Sequence, residues 1–315
     1  MLAWLTQLLE VLAAIAVAPI FAGWIAQCRA WSQNKSAPSI WLPYRNIHKL
    51  FHKEAVLADR ASPLFRFAPY VVFGSMVCAA AIIPSIGTRL PFSSAADAIA
   101  LVGLLATARM FLSLAAMDVG TAFGTLGARR EMMVGFLAEP ALLMIIFVAS
   151  LISASTALPA ISDTLATRPF ALYPSLAFTA VAFVLVLLAE NARIPVDNPA
   201  THLELTMIHE AMLLEYSARH LALMEWAASL KLFNYACIGF ALFVPWGVAT
   251  EQSQSPLALL AAMPILGVKF VVAGAGLAAI ETVSAKLRVF RVPEFLATAF
   301  LLAVLGLLVN LLLRA

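Results

Sequence analysis

The stretch FTAVAFVLVLLAENARIPVDNPATHLE, residues 178–204, decides how this chain is read. Its first part, up to Ala189, holds no ionisable group and suits only lipid or a protein core. From Glu190 onward it gathers Arg193, Asp197, His202 and Glu204, broken by Pro195 and Pro199. An apolar segment that ends in this way marks a membrane boundary at which charge is concentrated.

Working outward, the whole chain of 315 residues is 63% hydrophobic and 12% charged. A soluble domain carries roughly 25% charged residues. The chain therefore reads as a polytopic membrane protein, all-α, with a single membrane domain over residues 1–315. The net charge of +3 gives no sign of a nucleic-acid partner, because the basic residues follow membrane topology. Cys28, Cys78 and Cys237 lie far apart without a C-x-x-C pair. No iron–sulfur or structural zinc site of the chain's own is expected.

A transmembrane helix needs roughly 20 mostly apolar residues. Eight stretches qualify, near 2–27, 68–87, 97–117, 132–156, 171–190, 227–250, 256–280 and 294–313. The first lacks a basic leader and runs too long for a signal peptide, so it is read as a span. Lys and Arg in the connections set the orientation. Fifteen fall in the odd-numbered connections, from Arg29 to Arg66, at Arg129 and Arg130, at Arg193, Arg219 and Lys231, and from Lys286 to Arg291. Three, Arg89, Arg168 and Arg314, fall on the other side. Odd connections are thus expected in the cytoplasm and both termini outside. The two large loops, about 28–67 and 190–226, both face inward. A multi-pass protein of a cytoplasmic membrane is expected.

Two bases lie within spans: Arg109 in LLATARMFLSL and Lys269 in PILGVKFVVAG. An arginine at a helix centre costs about 2.5–3.5 kcal/mol on insertion scales. Each is expected to face the bundle interior and a carboxylate. Glu139, just before Pro140, lies inside the fourth span, while Glu190 and Glu281 close the fifth and seventh. Together these groups read as a titratable chain through the inner half of the bilayer, Arg109–Glu139 being one candidate pair. The loop after Glu190 adds Arg193, Asp197, Glu204, Glu210, Glu215 and Glu225. A helix is expected from His202 to about Arg219, with Glu204 and Glu215 on one face. Crowded carboxylates raise one another's pKa and respond to any charge placed beside them. Near the N-terminus, PYRNIHKLFHKEAV sets Ile47, Leu50 and Phe51 against Arg45, Lys49 and Lys53. It reads as an amphipathic helix on the cytoplasmic leaflet, in contact with lipid. No nucleotide-binding or hydrolase motif occurs, so no catalytic residue is expected.

Three blocks carry a resemblance to a known family: LPYRNIHKLFHKEAV, ARMFLSLAAMDVGTAFGTLGARREMMVGFLAEP, and ENARIPVDNPATHLELTMIHEAMLLEYSARHLALMEWAASLK. The chain resembles subunit 1 of respiratory complex I, and more closely the membrane anchor subunits of group 4 nickel–iron hydrogenases of the formate hydrogenlyase and hydrogenase-4 type. The resemblance implies a subunit that docks a peripheral electron-transfer arm and couples redox chemistry to proton or sodium translocation along buried carboxylates. By matching motif, that pathway includes Glu131, Glu139, Glu190 and Asp197, followed by Glu204, Glu210 and Glu215. Asp118, Arg130 and Arg193 then belong to the docking side. Tyr44, Arg45 and Lys49 border the cavity that admits quinone in complex I. Iron–sulfur clusters, and a nickel–iron site, are implied in hydrogenase large- and small-type partners on the cytoplasmic side, with antiporter-like subunits alongside. The family's Arg-Arg-Gly-Pro is replaced by NKSAPSIWLPYR, and the acidic loop is poorer in Glu. Both departures touch the quinone-facing loops and weigh against quinone as a ligand. The alternative, a stand-alone proton- or cation-coupled transporter, calls for inverted repeats and paired broken helices. Neither is evident.

Overall fold

Serine, threonine and proline open several of the long helices. Ser62 accepts a hydrogen bond from the Leu64 amide at 3.1 Å, with Pro63 in the first helical position. Thr121 does the same for Gly124 at 3.3 Å, and Ser255 for Ala258 at 3.2 Å, followed by Pro256. Such caps satisfy amides that have no partner within the helix.

A computed structural model of the chain describes residues 2–58, 61–94, 97–167, 173–197, 207–250 and 255–314. Its α-helices are α1 Leu2–Ser32, α2 Leu42–Phe51, α3 Pro63–Ile82, α4 Ala98–Asp118, α5 Ala122–Ser153, α6 Leu158–Thr167, α7 Pro174–Glu190, α8 His209–Leu213, α9 Ala218–Phe243, α10 Pro256–Val283 and α11 Val292–Arg314. No strand forms among the described residues; only the isolated bridges Gly87–Ala249 and Asp97–Ala157 occur. The all-helical expectation holds. Seven helices are long and apolar enough to cross a membrane: α1, α3, α4, α5, α9, α10 and α11. The fifth expected span corresponds to α7, which is apolar but has 17 residues.

The expected boundaries shift most at the starts of two helices. α5 starts at Ala122 rather than near 132, and α9 starts at Ala218 rather than near 227. In both cases the polar turns excluded by an apolar window continue the helix; in α5 Glu131 pairs with Arg109 and Arg130 bonds the Met207 carbonyl. Pro140 does not break α5.

α3, α4 and α9 pack with α1 on one side, while α5, α7 and α11 form the other. Leu101 and Leu105 of α4 and Ile145 and Ile146 of α5 are buried in the common core. α10 leans mainly on α1, and only 17% of its apolar window is buried. α2 lies against α1 and α9, burying Ile47.

The connections fall into two sets, one at each end of the bundle. At one end, Ser217 Oγ accepts from the Val56 amide and donates to the Val56 carbonyl, and the Leu287 amide donates to Pro195 at 2.8 Å. The connections after α1, α7 and α10 therefore meet. At the other, Thr88 and Ile86 bond Ala249, and the Ala98 amide donates to Thr156 at 3.1 Å. Here the connections after α3, α5 and α9 meet.

Candidate functional site

The site grows from Arg109, midway along α4, whose side chain is 5% exposed. Its Nη1 donates to Glu139 Oε1 at 2.7 Å, and its Nε lies 3.5 Å from Glu131 Oε1. Nη2 is paired with Glu190 Oε1. Glu131 and Glu139 stand about 12 Å apart along α5. Midway between them is Gly135, where a Cβ would overlap the Arg109 guanidinium. The missing side chain is what lets one guanidinium lie flat against α5 and reach acids above and below it. Glu190 is the last residue of α7, and its other oxygen lies 3.0 Å from Lys231 Nζ of α9. Tyr235, one turn beyond Lys231, is fully buried beside Glu190. Three carboxylates thus face two cations, leaving one formal negative charge in excess when all are ionised.

A cavity of about 30 Å³ adjoins the cluster, bordered by Arg109, Glu131, Lys231 and His209. That is enough for about one or two waters. It links the cluster to α8, the helix that follows the acidic loop. On the opposite flank Glu139 is 34% exposed in its side chain. It lines a wider apolar hollow of about 560 Å³ with Phe136, Pro140 and Leu143 of α5 and Phe300 and Leu301 of α11.

A second layer of charge lies at the end where the acidic loop sits. Glu281 of α10 accepts from Arg193 at 3.1 Å and from Arg29 at 3.4 Å. Asp197 accepts from the amides of Ile208 and His209, each at 3.2 Å, and lies 3.7 Å from Lys286. Arg130 donates to the Met207 carbonyl at 2.9 Å. Asp118 accepts from the Ser62 amide at 2.9 Å. Beside it Tyr216 stacks on Phe65 with centroids 4.0 Å apart and donates to the Phe65 carbonyl at 3.2 Å. Burial and the nearby Asp118 push the Tyr216 hydroxyl above its ordinary pKa, so it stays a donor. In α2, the Tyr44 hydroxyl bonds the Ala16 carbonyl of α1, while Arg45 and Lys49 are exposed.

The structure brings together Arg109, Glu131, Glu139 and Glu190, and separately Arg193 with Glu281. Two expectations are corrected. Among the described residues Lys269 meets no carboxylate: its Nζ donates to the Val244 carbonyl at 2.7 Å and sits 5.8 Å from the Phe240 ring. α9 ends near there, and a freed carbonyl at a helix end can accept an ammonium. The helix expected from His202 to Arg219 is also not continuous. Among the described residues α8 spans only His209–Leu213, and Glu215 lies half-buried in the link to α9. Glu204 lies outside the described residues. Glu210, in α8, is half-buried and close to Glu225 of α9. Sequence reasoning missed Lys231, counted only as a topological charge, and Tyr235. The signal was available, since both lie one helical turn apart within an apolar helix. Glu10 was missed too. Among the described residues no group of three or more His, Cys, Asp or Glu is placed to hold a metal ion.

Fold and site together define a helical membrane bundle built around an arginine–carboxylate cluster. A family model described as NADH dehydrogenase matches residues 6–312, and the chain belongs to that family. Hydrogenase-4 component C of Escherichia coli K12 is 38% identical over 242 residues, covering 76% of this chain and 75% of that protein. Formate hydrogenlyase subunit 4 of the same organism is 32% identical over 296 residues, covering 94% and 95%. Among solved structures, a chain of the membrane-bound sulfane sulfur reductase, an archaeal respiratory membrane complex, superposes with a TM-score of 0.85. It is 20% identical, covers 97% of this chain and 98% of its own, and shares the fold. The protein is a multi-pass subunit of a cytoplasmic-membrane complex.

Proposed function

We propose that this subunit anchors the peripheral arm of a group 4 hydrogenase-type complex and couples electron transfer in that arm to proton or sodium movement. The hydrogenase component and formate hydrogenlyase relatives support that type of complex. The observation that carries the mechanism is Arg109 shared by three carboxylates, Glu131 and Glu190 buried and Glu139 at the flank, beside a water-sized cavity. An ion set with one excess negative charge, in a medium of low dielectric, takes up or releases a proton when a nearby charge changes. The arm docks on the exposed face of α2 and on the loops around Asp118, Arg130 and Arg193. A redox event there shifts the field at Asp197 and Glu281. Glu190 and Glu131 sense it through Arg109. Glu139, at the flank of the bundle, passes the change to an antiporter-like neighbour seated in the hollow between α5 and α11. The clusters, and any nickel–iron centre, belong to the partners.

This reading takes α7 as an eighth crossing. At 1.5 Å per residue its 17 residues span about 26 Å, close to the roughly 30 Å hydrocarbon thickness. The meeting of the connections after α1, α7 and α10 at one end, and of those after α3, α5 and α9 at the other, supports it. With the acidic loop in the cytoplasm, both ends of the chain lie outside.

The test is Glu190→Gln and Glu139→Gln in the assembled complex in proteoliposomes. Electron transfer should persist while protons moved per electron pair fall. An unchanged ratio in both variants would remove the mechanism.

A further inference from the structure

At the bundle end away from the acidic loop, Glu10 of α1 is 1% exposed. Its Oε1 accepts from three consecutive amides, Ser85 at 3.3 Å, Ile86 at 2.8 Å and Gly87 at 2.8 Å. One turn away, Gln7 donates to the Ala81 carbonyl at 2.8 Å. Deeper, Asn234 of α9 donates to the Met76 carbonyl at 2.9 Å. These side chains hang on successive levels of α3 and its exit loop, the Met76 and Ala81 levels being about 7–8 Å apart. Each keeps one further buried oxygen without a partner among the described residues: Glu10 Oε2, Gln7 Oε1 and Asn234 Oδ1. Buried acceptors of this kind are met by ordered water in folded proteins.

The row joins the central cluster. On α9, Lys231, Asn234 and Cys237 are three residues apart, about 4.5 Å of rise per step. Lys231 holds Glu190, while Cys237 is buried within electrostatic reach of Glu10 and Lys269. α1, α3 and α9, which carry the row, pack against one another. At its far end Ser85 is half-buried, and Arg89 of the same loop is exposed.

We infer that Asn234, Gln7 and Glu10 line a transverse hydrated seam that carries protons between the Glu190–Lys231 pair and the outer end of the bundle, with Glu10 as its last titratable station. The seam rests on the reading of the inner cluster as proton-handling and adds a route across the membrane within this one subunit. One proton enters at the Glu190–Lys231 pair as one leaves the Glu10 carboxyl, so the groups between return to the same charge. The close pairing of Glu190 with Arg109 and Lys231 keeps the seam shut until the inner field changes.

A purely structural Glu10, clamping α1 to the loop after α3, would look the same at Oε1. Glu10→Gln separates the two roles, because the amide oxygen can still accept from all three backbone amides. In the complete complex in proteoliposomes, Glu10→Gln should keep the electron-transfer rate and lower the protons released outside per electron pair. Asn234→Leu should do the same; if that variant fails to assemble, Glu10→Gln decides alone. A full ratio in assembled Glu10→Gln overturns the seam. If Glu190→Gln lowers the ratio and Glu10→Gln does not, the seam falls and the inner reading stands; if neither does, both fall. Hydroxyl-radical footprinting by water radiolysis gives a readout independent of coupling. Cys237, 2% exposed, should be labelled from adjacent water, and an unlabelled Cys237 would overturn the seam.

Discussion

Glu190 and Glu10 are both shut inside the bundle, and they are held in opposite ways. Glu190 meets side-chain cations from two other helices, Arg109 of α4 and Lys231 of α9. Glu10 meets three backbone amides of one short loop. A carboxylate held by cations changes its environment whenever a neighbouring charge moves. One held by amides has a field fixed by the backbone. The first arrangement suits a group that must respond, the second a group that must stay in place whatever its protonation.

The contrast can be broken most severely at Arg109. Arg109→Leu leaves three acids without their shared cation, and breaking a buried ion pair from one side costs about 3–5 kcal/mol. The expected result is loss of the subunit from purified membranes, read by its abundance relative to partner subunits. Gly135→Ala is the next step down. The added methyl displaces the guanidinium from α5, and overpacking of a tight interior costs about 1–3 kcal/mol. A lower melting temperature of the complex, together with weakened coupling, is expected. Gly103→Ala, with nothing within reach of its Cβ, should change neither.

Glu281→Gln comes third. It removes the charge shared by Arg29 and Arg193, both partly solvated, at about 1 kcal/mol. Limited proteolysis should cut more readily between α10 and α11. Arg45→Gln with Lys49→Gln is the mildest. Exposed on α2, these residues should alter stability by no more than about 0.5 kcal/mol. Retention of peripheral subunits through a salt wash should nonetheless fall, if α2 faces the arm.

The helical bundle was legible because lipid demands long apolar stretches, and these survive any window of reading. Arg109 and Glu139 were legible for the converse reason, as charges where charge is costly. Lys231 was not, because it stands one turn inside the expected start of its span and was counted with the charges of the preceding connection. Lys269 was misread since a half-buried ammonium can settle on a backbone carbonyl, and carbonyls carry no sequence signature. The acidic helix failed at Tyr216 and Ser217, where the chain turns to stack an aromatic ring and to bond Val56. Contacts between residues so distant in sequence override local helical pattern. Gly135 was unreadable for the same reason, its meaning lying wholly in what packs against it.

Trp24 of α1 donates to the Val271 carbonyl of α10, 247 residues later in the chain. At roughly 5–20 residues per second of synthesis, α1 emerges roughly 10–50 s before that acceptor exists. Gln7 and Glu10 fasten α1 to α3 and its exit loop soon after those are made, but the indole side of α1 waits for α10, and until then it lies open to lipid, to the insertion machinery or to a wrong neighbour.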